Sequence, residues 1–130
     1  MNQLQRNQYL NNSVQTASPQ QLLILLYDGA IRFNRLGIEA IKQKNYADAS
    51  TNLVKVQSII SELIATLDTK SSLAPQLTSL YEYFLFLLRE ANVKKDTAPA
   101  EEVLGYLIDL KDTWMQAAKG GLVQAGLQHG

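Results

Sequence analysis

Few side chains in this sequence are of the types that perform catalysis or bind metals. The 130 residues contain no cysteine and one histidine, His129. Disulfides, thiol chemistry and cysteine-ligated metals are therefore excluded. A general base needs a fixed geometry, and we interpret His129, the second-last residue, as a solvated terminal side chain. The sequence predicts no metal and no other cofactor.

The remaining polar patterns are typical of helix surfaces. Asp109 and Asp112 lie one helical turn apart, as do Glu39 and Lys42, and such spacing favours a solvated face over a catalytic pair. Di-iron bundles require Glu-x-x-His on two helices, which this sequence does not contain. Gly120-Gly121 lacks the strand, lysine and hydroxyl of a phosphate loop, so we predict that it ends a helix. We do not expect an enzyme.

The composition indicates a small globular protein that does not bind a strongly charged partner such as nucleic acid or an anionic membrane. The chain is 46% hydrophobic and 18% charged, with 12 basic and 12 acidic residues, enough for one domain with an ordinary core. This neutrality argues against nucleic acid and against an anionic membrane surface as partners. No apolar run is longer than six residues, the length of the run at residues 22–27, and such a run is too short for membrane insertion. The polar N-terminus does not resemble a signal peptide, so we expect a cytoplasmic protein.

Apolar residues recur at steps of three and four, which predicts amphipathic helices. Three such ladders can be read in the later part of the chain, and the first helix has a comparable buried face. The ladders are Tyr46, Ala49, Leu53, Val56, Ile60, Leu63 and Leu67; Leu77, Leu80, Phe84, Leu87 and Ala91; and Val103, Leu107, Leu110, Trp114 and Ala117. The predicted face of the first helix is Leu22, Leu26, Ala30, Phe33, Gly37 and Ile41.

Capping residues and prolines predict where the helices begin. Ser18 followed by Pro19 and Gln21 is a capping box that opens the first helix, which should run to about residue 44. Asn45 should cap a second helix to about residue 68. Pro75 should open a third helix to about residue 93, and Pro99 a fourth that ends at Gly120-Gly121.

These elements predict an all-α fold. Four helices joined by short loops pack as antiparallel neighbours, which gives an up-down-up-down four-helix bundle over residues 18–119. Residues 120–130 should form a flexible tail. Residues 1–17 are too polar to build a core, and we predict an extended or short-helical lid segment that lies against the bundle. Its candidate contact residues are Tyr9, Leu10, Asn12, Val14 and Thr16.

The helices carry more apolar residues than their ladders use, and a surplus of this kind usually has a partner. One interpretation places these residues at the edges of broad core faces. The other makes them the wall of a groove that takes an amphipathic segment of another chain. The candidate groove residues are Ile24, Leu25, Tyr27, Leu85, Phe86, Leu104, Ile108 and Met115. Tyr27 and Asp28 have two other interpretations. They could hold the lid segment by hydrogen bonds, or Tyr27 could lie at the edge of the core and Asp28 on the helix surface.

Several blocks of the sequence, in register over nearly the whole chain, resemble the FliS family of flagellar secretion chaperones. The blocks include Tyr9, Asn12 and Val14 before Thr16-Ala17-Ser18-Pro19, then Leu26-Tyr27-Asp28-Gly29-Ala30, and later Leu110-Lys111-Asp112-Thr113-Trp114. The resemblance implies a helical bundle that binds the C-terminal segment of newly made flagellin. It further implies that the chaperone prevents early polymerisation and delivers flagellin to the flagellar type III export apparatus. In this family the client wraps around the bundle, and the chaperone's own N-terminal segment can occupy part of the groove.

Two other classes stay open from the residues alone. In one class, the extra apolar stripes pack on each other in a homodimer. This dimer could be a weak self-association, or it could be a structural dimer that binds no client. An enzyme would need titratable groups clustered between helices, and the sequence does not provide an evident set.

Overall fold

A computed structural model describes residues 18–120, and this part of the chain is all helical. Its four helices are α1 (Pro19–Lys42), α2 (Tyr46–Ala65), α3 (Ala74–Lys94) and α4 (Thr97–Gly120). Each helix packs on the next in sequence, and α4 packs back on α1. The predicted antiparallel four-helix bundle is therefore confirmed. The predicted lid segment, residues 1–17, and the tail from residue 121 lie outside the described residues.

The predicted helix starts rest on observed caps. The backbone N–H of Gln21 donates to Ser18 Oγ at 3.2 Å, and the backbone N–H of Ser18 donates to Gln21 Oε1 at 2.8 Å. This reciprocal pair is the capping box expected at α1. Asn45 Oδ1 accepts from the backbone N–H of Asp48 at 3.3 Å and caps α2.

Three helix boundaries differ from the prediction by two or three residues. The first helix, α1, ends at Lys42 rather than near residue 44. The second helix, α2, ends at Ala65 rather than near residue 68, where the Thr66 hydroxyl donates to the Leu63 carbonyl at 3.1 Å. Such a side-chain bond to the backbone competes with the helical pattern. The fourth helix, α4, begins at Thr97, before Pro99. Asp96 Oδ1 accepts from the Ala98 N–H at 3.1 Å, and Pro99 then sits in the first turn, where its missing N–H costs nothing.

The core contains most of the predicted ladder positions. Tyr46 is 46% exposed. The ladder residues that are only partly buried are Leu67, Leu77, Leu80, Leu110, Trp114 and Ala117. The ladder residues that are buried are Ala49, Leu53, Val56, Ile60, Leu63, Phe84, Leu87, Ala91, Val103 and Leu107. The buried face of α1 is broader than predicted and also includes Tyr27, Ile31, Asn34, Ile38 and Ala40. It is broader because α1 packs on both α2 and α4.

Three polar contacts show which side of each helix faces which neighbour. Between α1 and α4, the Asn34 amide donates to the Ala100 carbonyl at 3.0 Å. Between α2 and α3, the Ser50 hydroxyl donates to Asn92 Oδ1 at 2.8 Å. Between α3 and α4, the Tyr83 hydroxyl donates to Glu102 at 2.6 Å. Within residues 18–120, no helix combines the length and apolarity that a bilayer span requires.

Candidate partner-binding surfaces

An ion pair between Asp28 and Lys111 joins α1 to α4 at the bundle surface. Ile108 and Met115 lie three and four residues from Lys111, so helical spacing puts them on the same side of α4. Ile24 precedes Asp28 by one turn on α1. We call this surface the α1–α4 groove and define it by Ile24, Asp28, Leu104, Ile108, Lys111 and Met115.

The α1–α4 groove is apolar along α4 and has an ion pair across it. Ile108 and Met115 are each 39% exposed, whereas Ile24 and Leu104 are partly buried. Asp28 and Lys111 are both partly exposed, and an ion pair of this kind contributes at most about 1 kcal/mol. The pair therefore does not hold the groove closed.

The other exposed candidates lie on different faces of the bundle. Leu25 shares the outer stripe of α1 with Leu36, since the two are 11 residues apart on the helix. Phe86 is 52% exposed, and Val93, two turns further along the same stripe of α3, is 79% exposed. The structure therefore does not bring all of the candidate residues into one groove.

Leu85 faces a third direction. It precedes Asn92 by two turns, and the Asn92 side chain contacts Ser50 of α2. Leu85 is partly buried against the core, so it lies on the α2 side of α3. Sequence periodicity could not show this, because periodicity does not reveal which neighbouring helix a stripe will meet.

The structure corrects the placement of Tyr27, which does not form a wall of a surface groove. Its side chain is fully buried, and its hydroxyl lies 2.6 Å from the hydroxyl of Tyr81 on α3. A signal for this position was present in the sequence, since Tyr27 shares a stripe with Ala30 and Asn34. Because Asn34 is polar, the stripe did not have the pattern of a buried face, although Asn34 is itself buried.

Burial raises the pKa of both hydroxyls in this pair, so both stay neutral well above physiological pH. For Tyr27, the hydrogen bond with Tyr81 lowers the pKa, but by less than burial raises it. The indole N–H of Trp114 also favours the ionised form of Tyr27. That N–H is buried without a hydrogen-bond partner of good geometry in residues 18–120.

One end of the bundle contains an apolar pocket that the sequence did not predict. All four helices and the turn between α2 and α3 contribute to it, and its volume is about 300 Å³. We call it the end pocket. Its apolar lining is Leu22, Leu23, Leu26, Leu63, Leu67, Leu73, Leu77 and Trp114, with Tyr81 also at its wall. Sequence reasoning identified the apolar run at residues 22–27 and the ladder residues Leu63, Leu67, Leu77 and Trp114, but not that they meet around a pocket.

The described residues contain no cluster of three or more histidine, aspartate or glutamate side chains that could hold a metal ion. What they present instead is a helical bundle with apolar strips on its surface and an apolar pocket at one end. That combination is typical of proteins that bind an amphipathic segment of another polypeptide. The fold and these surfaces thus define a class, a helical bundle whose apolar surface is suited to a segment of another polypeptide.

Comparison with known proteins agrees with this class. The family model of FliS, described as flagellar protein FliS, matches residues 1–121. The flagellar secretion chaperone FliS of Bacillus subtilis (strain 168) is 40% identical over 109 residues, which are 84% of this chain and 82% of the relative. The FliS chaperone of Salmonella typhimurium is 33% identical over 82% of both chains, and that of Campylobacter jejuni is 30% identical over 88% of this chain and 91% of the relative.

The chain therefore belongs to the FliS family. The resemblance read from its sequence blocks is confirmed. The family is one of chaperones in flagellar secretion and not of enzymes.

Proposed function

We propose that this chain is a cytosolic export chaperone for flagellin. It binds the C-terminal segment of flagellin, keeps that segment from polymerising early, and delivers it to the flagellar type III export apparatus. Membership of a family whose relatives are named flagellar secretion chaperones supports this proposal. The structural observation that carries it is the exposed apolar strip of the α1–α4 groove, where Ile108 and Met115 face solvent.

The spacing of the apolar residues in the α1–α4 groove matches that on the apolar face of a client helix. Ile108 and Met115 are seven residues apart on α4, so their exposed surfaces are about 10 Å apart along the helix axis. A client helix that places apolar residues at positions i, i+3, i+4 and i+7 matches that distance. The Asp28–Lys111 pair at the same surface contributes little to stability, so client side chains can displace it at small cost.

The other candidate residues support a client that continues around the bundle. Leu25, Leu85 and Phe86 lie on three different faces, so a single short helix does not contact all of them. A client that is unfolded when free and orders on binding can reach several faces in succession. Such binding typically buries on the order of 1,000–3,000 Å² and costs a few kcal/mol of ordering.

Residues 1–17 remain our proposed lid segment, with Tyr9, Leu10, Asn12, Val14 and Thr16 as its contact residues. The support is positional and compositional. The segment joins α1 directly at the capping residue Ser18, and its composition is too polar to build a core of its own. The lid would compete with the client for apolar surface and so reduce the apparent affinity.

Calorimetric titration of the full chain with a flagellin C-terminal peptide, combined with light scattering, tests the proposal. We expect a monomer that forms a 1:1 complex. A tight dimer that does not respond to the peptide would instead support the homodimer interpretation, with stripes such as Phe86 and Val93 as its interface.

A further inference from the structure

The end pocket has the size and lining of a binding site for apolar groups. Its volume of about 300 Å³ is about twice that of a protein cavity known to accommodate benzene. The apolar lining comes from the first residues of α1, the last residues of α2, the start of α3 and Trp114 near the end of α4. No basic residue lines it, and Asp68 is its one charged residue. The pocket therefore disfavours an anionic occupant.

The wall of this pocket also has two buried donor hydrogens without an acceptor, one on the tyrosine pair and one on the Trp114 indole. Tyr27 and Tyr81 share one hydrogen bond at 2.6 Å, in which either oxygen can be the donor. Each hydroxyl has one hydrogen, so the pair has two hydrogens and uses only one of them internally. The Trp114 N–H adds a third, and it is buried without a well-formed hydrogen bond in the described part of the chain. A buried donor that lacks an acceptor is unfavourable.

We infer that the end pocket holds an apolar side chain of the client together with one backbone carbonyl oxygen. Tyr27 donates to Tyr81, and Tyr81 donates to that carbonyl, so every hydroxyl hydrogen has an acceptor. Tyr81 is the member of the pair that lines the pocket. A polypeptide supplies both required groups, an apolar side chain and a neutral acceptor. This inference rests on the proposed function, because the client is the same polypeptide.

Trp114 is the only tryptophan of the chain, and it reports on the pocket directly. The experiment titrates the full chain with a tryptophan-free flagellin C-terminal peptide and follows Trp114 emission and the heat of binding together. We expect the emission to shift to shorter wavelength in step with the heat. Tyr81→Phe should bind about 3- to 10-fold more weakly, since it removes one hydrogen bond from the complex.

A matched control is available on the same helix. The Tyr83 hydroxyl donates to Glu102 at the exposed surface, and Tyr83 does not line the end pocket. Tyr83→Phe should therefore bind the peptide as tightly as the unmodified chain. If Tyr81→Phe lowers helicity, the Trp114 emission of the unmodified chain still tests whether the client enters the end pocket.

The outcomes separate this inference from the proposed function. Peptide binding with unchanged Trp114 emission and no loss in Tyr81→Phe would overturn the pocket assignment alone. A lack of any binding heat would overturn the proposed function and this inference with it. If Leu10→Ser shifts Trp114 emission before any peptide is added, and bound peptide then causes no further shift, the occupant is this chain's own N-terminal segment, which contradicts the inference.

Discussion

Leu53 of α2 packs directly over Gly37 of α1. A Cβ atom placed on Gly37 would lie 2.8 Å from Leu53 Cδ2 and 3.0 Å from its Cγ. Both residues are fully or nearly fully buried. The glycine is needed at this point because the two helices approach each other closely, and the approach leaves no room for a side chain.

Gly37→Ala should lower the free energy of unfolding by about 1–3 kcal/mol, because the methyl group forces Leu53 out of its position in a packed core. Urea denaturation followed by circular dichroism measures this change. Gly105→Ala is the matched control, since nothing lies within 4 Å of the atom that it would add. That variant should gain about 0.5–1 kcal/mol from helix propensity. Equal effects of the two substitutions would contradict the packing argument.

Ile108→Asp should abolish client binding and leave the bundle folded. Ile108 is 39% exposed, so a carboxylate at this position stays hydrated in the free protein and meets apolar client surface only in the complex. Calorimetry with a flagellin C-terminal peptide measures the loss, and far-ultraviolet circular dichroism checks the helicity.

Two further aspartate variants are controls for the Ile108→Asp result. Leu107→Asp places the charge in the core, where Leu107 is fully buried, and should prevent folding. Val93→Asp changes a side chain that is 79% exposed on α3, and should affect neither folding nor binding in the α1–α4 groove. Unfolding of Ile108→Asp would show that Ile108 belongs to the core.

Stability should fall as the pH rises above about 10, and Tyr27 and Tyr81 should contribute to that fall. Burial raises the pKa of both side chains above the ordinary value of 10.0. Above that pH the unfolded chain releases these two protons and the native chain retains them. The unfolded state then binds fewer protons, so the free energy of unfolding decreases by up to about 1.4 kcal/mol per pH unit for each residue.

Urea denaturation at a series of pH values from 8 to about 11.5 measures this slope. The double variant Tyr27→Phe, Tyr81→Phe should lose stability less steeply over the alkaline part of the series. Other tyrosines and lysines titrate in both proteins and cancel in the comparison. Parallel curves would show that the native pair ionises like free tyrosine.

Deletion of residues 1–15 should leave a folded bundle, because the core is built from residues between Tyr27 and Leu107. If the segment is a lid, the truncated chain should also bind the flagellin peptide more tightly, since nothing competes for the surface. Thermal unfolding and calorimetry measure the two effects. Loss of cooperative unfolding would mean that the segment is part of the structural core.

Sequence alone determined the elements of this fold, because the signals for them are local. A capping box at Ser18, a cap at Asn45 and steps of three and four residues each act within one helix. They predicted all four helices and most of the buried ladder. Two of the missed boundaries, at Ala65 and Thr97, depend on competing hydrogen bonds of Thr66 and Asp96.

Tertiary structure alone decided how the helix faces are combined. Helical spacing placed Ile108 and Met115 on the same side of α4 as Lys111, but only packing brought Lys111 to Asp28 of α1. The role of Ile108 and Met115 in client binding stays a prediction. Tyr27 entered the core because Tyr81, 54 residues away, supplies a partner for its hydroxyl. The end pocket likewise requires all four helix ends to meet. A residue's neighbours within a helix follow from its own sequence, whereas its neighbours across helices depend on how the whole core is filled.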